Sequence, residues 1–430
     1  MKMLKNILKS TAIWMAATVS FTACEVDTTT VMFEEDHDFS QPGDTVFSVL
    51  GILDKVQDVV EKGVLLGELR GDLVKPVPLA GASNAWVDLA RFENLEDATF
   101  NRYRDYYAIV NNCNFYLERA DAEMERRGQK VFLKEYAAVS AYRAWAYLQL
   151  ALLYGEIPFY TQPLLSYSEI EQVMNDPSRR KGLGEICSYF IDDLLPYVDV
   201  PFPNYGNFTY DQNSSVNSSD FFLPIRLLRG DLYLWRGSLD GNKSDFAKAA
   251  QEYRDYLLSE ERFVNPEIKV AYRTVDLDGA QIVDRWNSVF VGGNTMERIS
   301  LVPFAGNSQY GKLGSLQQSF RYFMGSDALQ KLVDESYYCY VMYTEESESD
   351  ESEYMSRFTG LAKDTLYYGT KENPLYYSYI TVPGTPQYFM GDLRFNRDYQ
   401  EGYGLSINKY SSLWPHVTTY RTGAVYLRLA

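Results

Sequence analysis

Two long helical stripes joined by a short turn constrain the fold of this chain more than any other feature. Apolar residues recur every three to four positions over residues 97–127 and again over 130–154, which is the period of an amphipathic helix. Gly128 separates the two stripes, while Gly155 and Pro158 follow the second, and these residue types commonly end helices. The pattern predicts an antiparallel pair of long helices.

Further helices are predicted on both sides of this pair. They cover 45–62, 182–197, 220–236 and 244–258. The last two form a second pair, with Ser244 in the N-cap position, and small residues at contact positions suggest tetratricopeptide-like packing without a strict repeat. After about residue 260 short aromatic runs with Gly and Pro replace the stripes, except near 326–340. The predicted fold class is therefore mainly α, with helical hairpins and a loop-rich portion carrying short strands.

Composition excludes several functional classes. The chain has 430 residues and a net charge of −17, so no basic surplus is available to bind nucleic acid. Its two histidines, His37 and His416, leave little room for zinc sites or Ser-His-Asp chemistry, and no metal or cofactor is expected. Cys113 and Cys187 lie in helical patterns and are expected to be buried thiols. The 36 tyrosines suit a surface that binds amphipathic ligands.

The N-terminus carries the features of an export signal followed by a lipid anchor. Three lysines among the first nine residues precede the apolar stretch 11–23, which is too short to span a bilayer and is typical of a signal peptide. Cys24 follows Ala23 directly, as in a bacterial lipobox. We therefore expect a signal peptide that ends at Ala23, lipidation of Cys24, and an acidic tether over 24–44. Ordinary cleavage near Ala23, with a free cysteine, is the alternative.

Several motifs follow one another in a fixed order along the chain. They are RYRDYYAIVNNCNFYLERAD (102–121), EYAAVSAYRAWAYLQLALLYGEIPFY (135–160), LPIRLLRGDLYLWRG (223–237), NTMERI (294–299), GDLR (391–394) and INKY (407–410). In this order they resemble the SusD/RagB family of outer-membrane nutrient-binding lipoproteins. Within the second motif, the family pattern is filled by Glu135, Arg143, Ala144, Tyr154, Gly155 and Pro158.

The last eleven residues depart from this resemblance. YRTGAVYLRLA (420–430) is similar to the family's Arg-x-x-Asp-x-x-Leu helix, but Ala424 occupies the Asp position. Family members usually continue beyond this helix, so the chain is expected to be a truncated or incomplete member.

The resemblance implies a function and a cellular location. It implies a lipid-anchored protein on the outer face of the outer membrane of Bacteroidota, with a helical region at 45–260 and a loop-rich C-terminal region at 261–430. Such a protein caps a SusC-like TonB-dependent transporter and captures oligosaccharides, or peptides in RagB-like members. A transporter lid without ligand contact is a further alternative. An enzyme is not expected, because no motif selects a pair of catalytic carboxylates.

The resemblance also implies that early and middle segments of the chain share the ligand site. The early candidates are Arg70, Asp72, Asn84 and Trp86, and the middle candidates are Trp286, Tyr310 and Tyr322. Trp86 is the leading candidate, because it follows Pro and Gly residues typical of a surface loop; a core or transporter-interface role is the alternative. Trp145 and Trp235 lie in helical stripes and are expected in the core.

Overall fold

The fold is described from a computed structural model of the chain. It describes residues 44–76, 84–93, 102–260, 298–320, 322–328 and 415–430, and the backbone of six short strands between residues 274 and 407; only the backbone is described at 44, 84, 85, 317 and 318. Thr45–Ala430 forms one compact unit. Within the described ranges, no helix is long and apolar enough to cross a membrane.

Helices make up most of the described structure. In chain order they are α1 (Asp44–Leu69), α2 (Asn84–Arg91), α3 (Tyr103–Arg119), α4 (Leu133–Tyr154), α5 (Tyr167–Asn175), α6 (Leu183–Asp193), α7 (Ile225–Asp240), α8 (Lys243–Ser259), α9 (Leu316–Phe320) and α10 (Thr422–Leu429). Three single turns of 3₁₀ helix lie at Pro177–Arg179, Leu195–Tyr197 and Ser218–Phe221.

The strands are short and pair mostly as hairpins. They are β1 (Val74–Pro76), β2 (Glu125–Arg126), β3 (Gln129–Lys130), β4 (Ile157–Pro158), β5 (Arg180–Lys181), β6 (Asn207–Asp211), β7 (Ser214–Asn217), β8 (Thr274–Val275), β9 (Ile282–Val283), β10 (Arg298–Val302), β11 (Phe323–Gly325), β12 (Cys339–Met342), β13 (Gln387–Met390), β14 (Phe395–Arg397), β15 (Leu405–Ile407) and β16 (Val417–Arg421). One larger sheet has the order β1-β11-β15-β14, and β10 pairs with β16.

The predicted pair of long helices is present as α3 and α4, but its connection differs from the prediction. The stripe over 97–127 predicted a helix running up to the turn, whereas α3 ends at Arg119. Strands β2 and β3 then form a small hairpin with the two-residue loop Arg127–Gly128. The φ angle is +54° at Arg127 and +77° at Gly128. Two consecutive left-handed residues make the tight turn that favours a hairpin over a continuing helix. Gly155 ends α4 as predicted.

The second pair is present as α7 and α8, with corrected ends. Helix α7 begins after Pro224, five residues later than predicted, because a 3₁₀ turn occupies Ser218–Phe221. The N-cap of α8 is Asn242 and not Ser244: its Oδ1 accepts a hydrogen bond from the Ser244 backbone N–H at 3.0 Å. This bond satisfies a donor that the first helical turn would otherwise leave free.

The remaining predicted helices also change at their ends. Helix α1 continues seven residues past the predicted end at residue 62, because Leu65, Leu66 and Leu69 extend its buried apolar face. Helix α6 ends at Asp193, and the predicted last turn is 3₁₀ and contains Pro196, which has no backbone N–H to donate. Most of the predicted helix 326–340 lies outside the described residues, and its last two residues belong to β12.

Tyrosines fill the core of the helical region, where the sequence predicted a role at the surface. The buried tyrosines among the described residues are Tyr106, Tyr107, Tyr116, Tyr142, Tyr147, Tyr160, Tyr233, Tyr253, Tyr256 and Tyr420. Three of their hydroxyls donate to main-chain carbonyls of neighbouring connecting segments: Tyr107 to Pro158 at 2.6 Å, Tyr147 to Tyr160 at 2.5 Å, and Tyr142 to Phe221. Each bond removes the penalty of burying a hydroxyl and fixes a connecting segment to a helix.

The two predicted buried thiols are confirmed. Cys113 and Cys187 are free and fully buried. Burial raises the pKa of each thiol to about 12, so neither forms the thiolate that reacts at neutral pH.

A buried carboxylate joins the C-terminal segment to the second helix pair. Asp231 on α7 accepts hydrogen bonds from the hydroxyls of Tyr253 (2.6 Å) and Tyr420 (2.7 Å). Arg428 on α10 adds an ion pair at 2.8 Å. Next to Asp231, Gly230 permits the close approach of α7 and α8, because a Cβ there would lie 2.5 Å from the Tyr253 ring. Four elements, α7, α8, β16 and α10, therefore meet at one acidic side chain.

Candidate functional site

Strand pairing brings the early and middle segments of the chain together. Strand β1 runs antiparallel to β11, with Val74 opposite Gly325 and Pro76 opposite Phe323. The pairing continues beyond the strands, where the Ser326 backbone N–H donates to the Leu73 carbonyl at 2.9 Å. The two segments expected to share the ligand site are thus neighbours in space.

An aromatic cluster, formed by Trp86, Tyr322 and Phe323, lies beside this pairing. The Trp86 ring centroid is 5.4 Å from that of Tyr322 and 5.1 Å from that of Phe323, with tilted planes. These separations are those of attractive aromatic pairs. Phe323 is buried, whereas the side chains of Trp86 and Tyr322 are half-buried. The cluster therefore has an apolar floor and two partly exposed rings.

Trp86 is not in a loop, and that prediction was wrong. It is the third residue of α2, which begins at Asn84. The short helix is amphipathic, and Leu89, three positions after Trp86, is completely buried. The Pro and Gly residues before residue 84 indicated a loop. The helix has only eight residues, too few for a clear helical period in the sequence.

Arg70 lies directly after α1 with its guanidinium against an aromatic ring. Its Cζ is 5.8 Å from the ring centroid of Phe92, the residue that follows α2. Among the described residues Arg70 forms no ion pair within 4.0 Å. Its positive charge also acts on Tyr154 and opposes the burial that raises that hydroxyl's pKa to about 12. A partly exposed cation thus stands beside exposed aromatic surface.

The other predicted site residues have different outcomes. Asp72 is exposed, and its carbonyl accepts from the Ser326 hydroxyl, so it takes part in the strand pairing through its backbone. Tyr310 lies in a turn after β10, with its N–H on the Asn307 carbonyl at 3.1 Å, and no described ring contact joins it to the aromatic cluster. Asn84 begins α2, but its side chain is not described. Trp286 and Cys24 lie outside the described residues.

The two tryptophans predicted in the core differ from that prediction. Trp235 is 41% exposed on the outer face of α7, which contradicts it; the neighbouring Leu232 and Tyr233 form the buried face instead. Trp145 is half-buried, with its ring 6.4 Å from that of Tyr106.

Phe92 and Phe323 were missed by the sequence analysis. Phe323 is adjacent to Tyr322, a candidate of the middle segment, whereas Phe92 follows a helix that the sequence analysis did not predict. Neither phenylalanine belongs to a motif. With 23 phenylalanines in the chain, residue type alone does not select them. Only the strand register and the end of α2 place them at the site.

Two further features of the described residues bear on the location of the site. Among them, no group of three or more His, Cys, Asp or Glu side chains is arranged to hold a metal ion. A separate open pocket of about 430 Å³ is lined by Lys181, Gly184, Glu185, Ser188, Tyr189 and Asp192. That lining includes a single aromatic ring, that of Tyr189. The aromatic cluster with Arg70 therefore remains the candidate site.

Comparison with solved structures identifies the fold. A SusD superfamily protein from Bacteroides thetaiotaomicron aligns with a TM-score of 0.52 and 12% identity, over 90% of this chain and 75% of its own. NanU of B. fragilis aligns at 0.50 and 14% identity, over 92% and 74%. A SusD homolog from B. thetaiotaomicron aligns at 0.50 and 14% identity, over 90% and 76%. No family model matches the chain, and no curated protein does.

These comparisons confirm the predicted fold class. The chain has the fold of the SusD superfamily, mainly helical with short strands, as the order of its motifs predicted.

Proposed function

We propose that this protein binds oligosaccharides at the aromatic cluster and does not transform them. The observation that carries the proposal is the pairing of β1 with β11, which sets the half-buried rings of Trp86 and Tyr322 side by side. Aromatic faces contact the C–H groups of sugar rings, and a guanidinium such as that of Arg70 donates hydrogen bonds to hydroxyls. The SusD fold supports this reading, since the SusD/RagB resemblance implies capture of oligosaccharides.

The first test separates the proposed function from its alternatives. The protein is run in native gels containing starch, mannan, β-glucan or pectin, and the polysaccharides are then analysed for cleavage. A binder is retarded and leaves the glycan intact, whereas an enzyme shortens it. A transporter lid is not retarded. A RagB-like peptide binder is not retarded either, but gives a heat signal with mixed peptides in calorimetry.

Trp86→Ala is expected to weaken oligosaccharide binding about fivefold or more, because truncating a central aromatic contact commonly costs about 1 kcal/mol or more. Calorimetry with oligosaccharides of the retarding glycan measures the loss. Trp235→Ala is the matched control, since it removes an exposed tryptophan from α7, outside the aromatic cluster. Equal affinity of the Trp86→Ala and wild-type proteins, at equal melting temperature, would remove Trp86 from the site.

We also propose a location and a partner. The protein is anchored by lipid at Cys24, faces the exterior of the outer membrane, and delivers its ligand to a SusC-like TonB-dependent transporter. Its helical region spans 45–260 and its loop-rich region 261–430. The export signal, Cys24 and the motif order support this proposal. Co-purification of a TonB-dependent transporter with the tagged protein, from gently solubilised outer membranes, tests the partnership.

Cys24→Ala is expected to release the protein from the outer-membrane fraction. Stable attachment needs more than one acyl chain at about 0.8 kcal/mol per buried CH₂, and the substitution removes the thiol that carries them. Fractionation after a high-salt wash measures the release, and labelling with radioactive palmitate should mark the wild type alone. Retention of the variant on washed membranes would contradict the anchor.

A further inference from the structure

Phe92 holds a backbone conformation that suits glycine. Its φ is +57°, which brings the Cβ of an L-residue close to its own main chain and is unfavourable for a bulky side chain. The residue directly follows α2. Its N–H donates to the Leu89 carbonyl at 3.3 Å, and the Glu93 N–H donates to the Asp88 carbonyl at 2.8 Å. These two bonds define a helix end whose left-handed position is usually filled by glycine.

Burial of the Phe92 ring offsets little of the cost of this backbone conformation. It is 60% exposed to solvent. The Arg70 guanidinium lies over the ring, 5.8 Å from its centroid, and such a cation–π arrangement contributes modestly at an exposed site. An unfavourable backbone and an exposed apolar ring therefore occur in one residue. Local rules are broken in this way mainly at functional positions.

Phe92 and Trp86 lie on the same short element of the chain. Trp86 is the third residue of α2 and Phe92 follows its last residue, Arg91. Six residues of helix rise about 9 Å along the axis, so one short element carries both rings. Arg70 covers one face of the Phe92 ring, and the exposure of the side chain leaves other ring surface open to a ligand.

We propose that Phe92 is a second aromatic contact of the oligosaccharide site, with Arg70 as its polar companion. A sugar ring packs on the open face of Phe92, while the guanidinium donates hydrogen bonds to the hydroxyls of that sugar. A neighbouring sugar of the same ligand packs on Trp86. The left-handed backbone serves to turn the ring outwards. This inference rests on the proposed function, because it assigns another residue to the same ligand.

The test uses Phe92→Gly, which separates folding from binding. Glycine accepts the left-handed conformation without strain, so the variant should melt at the same temperature as the wild type or higher. Its Kd for the oligosaccharides of the retarding glycan should rise about fivefold or more. Phe92→Asn, which also tolerates this backbone, should bind as weakly as Phe92→Gly. Phe92→Trp should bind as well as the wild type, because it keeps an aromatic face.

The affinities and melting temperatures of these variants decide whether Phe92 contacts the ligand. Loss of affinity in the Gly and Asn variants at undiminished melting temperature supports the assignment. Unchanged affinity in both, while Trp86→Ala weakens binding, overturns the assignment and leaves the proposed function standing. A lower melting temperature of Phe92→Gly would show that the ring serves the fold, and would also overturn it. A wild-type protein that binds none of the glycans overturns the proposed function and this inference together.

Discussion

Asp231→Ala is expected to lower the free energy of unfolding by about 3–5 kcal/mol. The carboxylate accepts hydrogen bonds from the hydroxyls of Tyr253 and Tyr420, both buried. It also pairs with Arg428. Alanine leaves two buried donors and one cation without their acceptor. Breaking a buried network by removing one partner costs several kcal/mol, since the orphaned groups keep their desolvation penalty.

Urea unfolding followed by circular dichroism measures this loss. Asp192→Ala is the matched control, because that carboxylate is exposed on α6 and its removal should change stability by less than about 0.5 kcal/mol. Asp231→Asn should lie between the two, as the amide oxygen still accepts one hydroxyl. A loss below about 1 kcal/mol in Asp231→Ala would mean that the network does not hold the C-terminal segment in place.

Mild acid is expected to destabilise the protein through His416. Burial, with a smaller contribution from Arg298, lowers the pKa of this imidazole to about 3. The ring is neutral in the fold, where its Nδ1 accepts the Phe304 backbone N–H at 2.8 Å. In the unfolded chain the pKa is about 6.5. Because the unfolded state binds the proton first, stability is full above pH 6.5 and falls as the pH drops towards 3, by about 2 kcal/mol at pH 5.

The measurement compares urea unfolding at pH 7 and pH 5 for the wild type and His416→Asn. Asparagine keeps a side-chain acceptor for the Phe304 N–H but does not titrate. The acid-induced loss in the variant should therefore be smaller by about 2 kcal/mol. The same loss in both proteins would show that other groups cause the acid sensitivity.

Long periodic helices were readable from the sequence because their signal extends over many residues. Helices α4 and α8 begin and end within three residues of their predicted limits. Prediction failed where a few residues decide the structure. Arg127 and Gly128 turn the chain into a hairpin, and α2 has only eight residues behind a stretch of Pro and Gly. In such segments tertiary packing overrides the local pattern.

The candidate site was predictable in outline and not in detail. The family resemblance pointed to early and middle segments, and the pairing of β1 with β11 brings Trp86 and Tyr322 together. The proposed contribution of Phe92 depends on a single backbone angle at the end of a helix, which hydrophobic periodicity does not encode. The number of tyrosines did not predict where they lie, because an amphipathic ring suits a binding surface and a hydrogen-bonded core equally well.

The buried tyrosines bear on how far the amino-acid sequence of this fold can diverge in evolution. Tyr107, Tyr142 and Tyr147 hold neighbouring connecting segments through main-chain carbonyls, and every amino acid supplies a carbonyl of that kind. The path of such a segment is therefore specified by the helix that carries the tyrosine. The hydrogen bond itself places no requirement on the side chain of the residue that supplies the carbonyl. A framework of this type can keep its shape while its sequence diverges to the 12–14% identity seen against its structural neighbours.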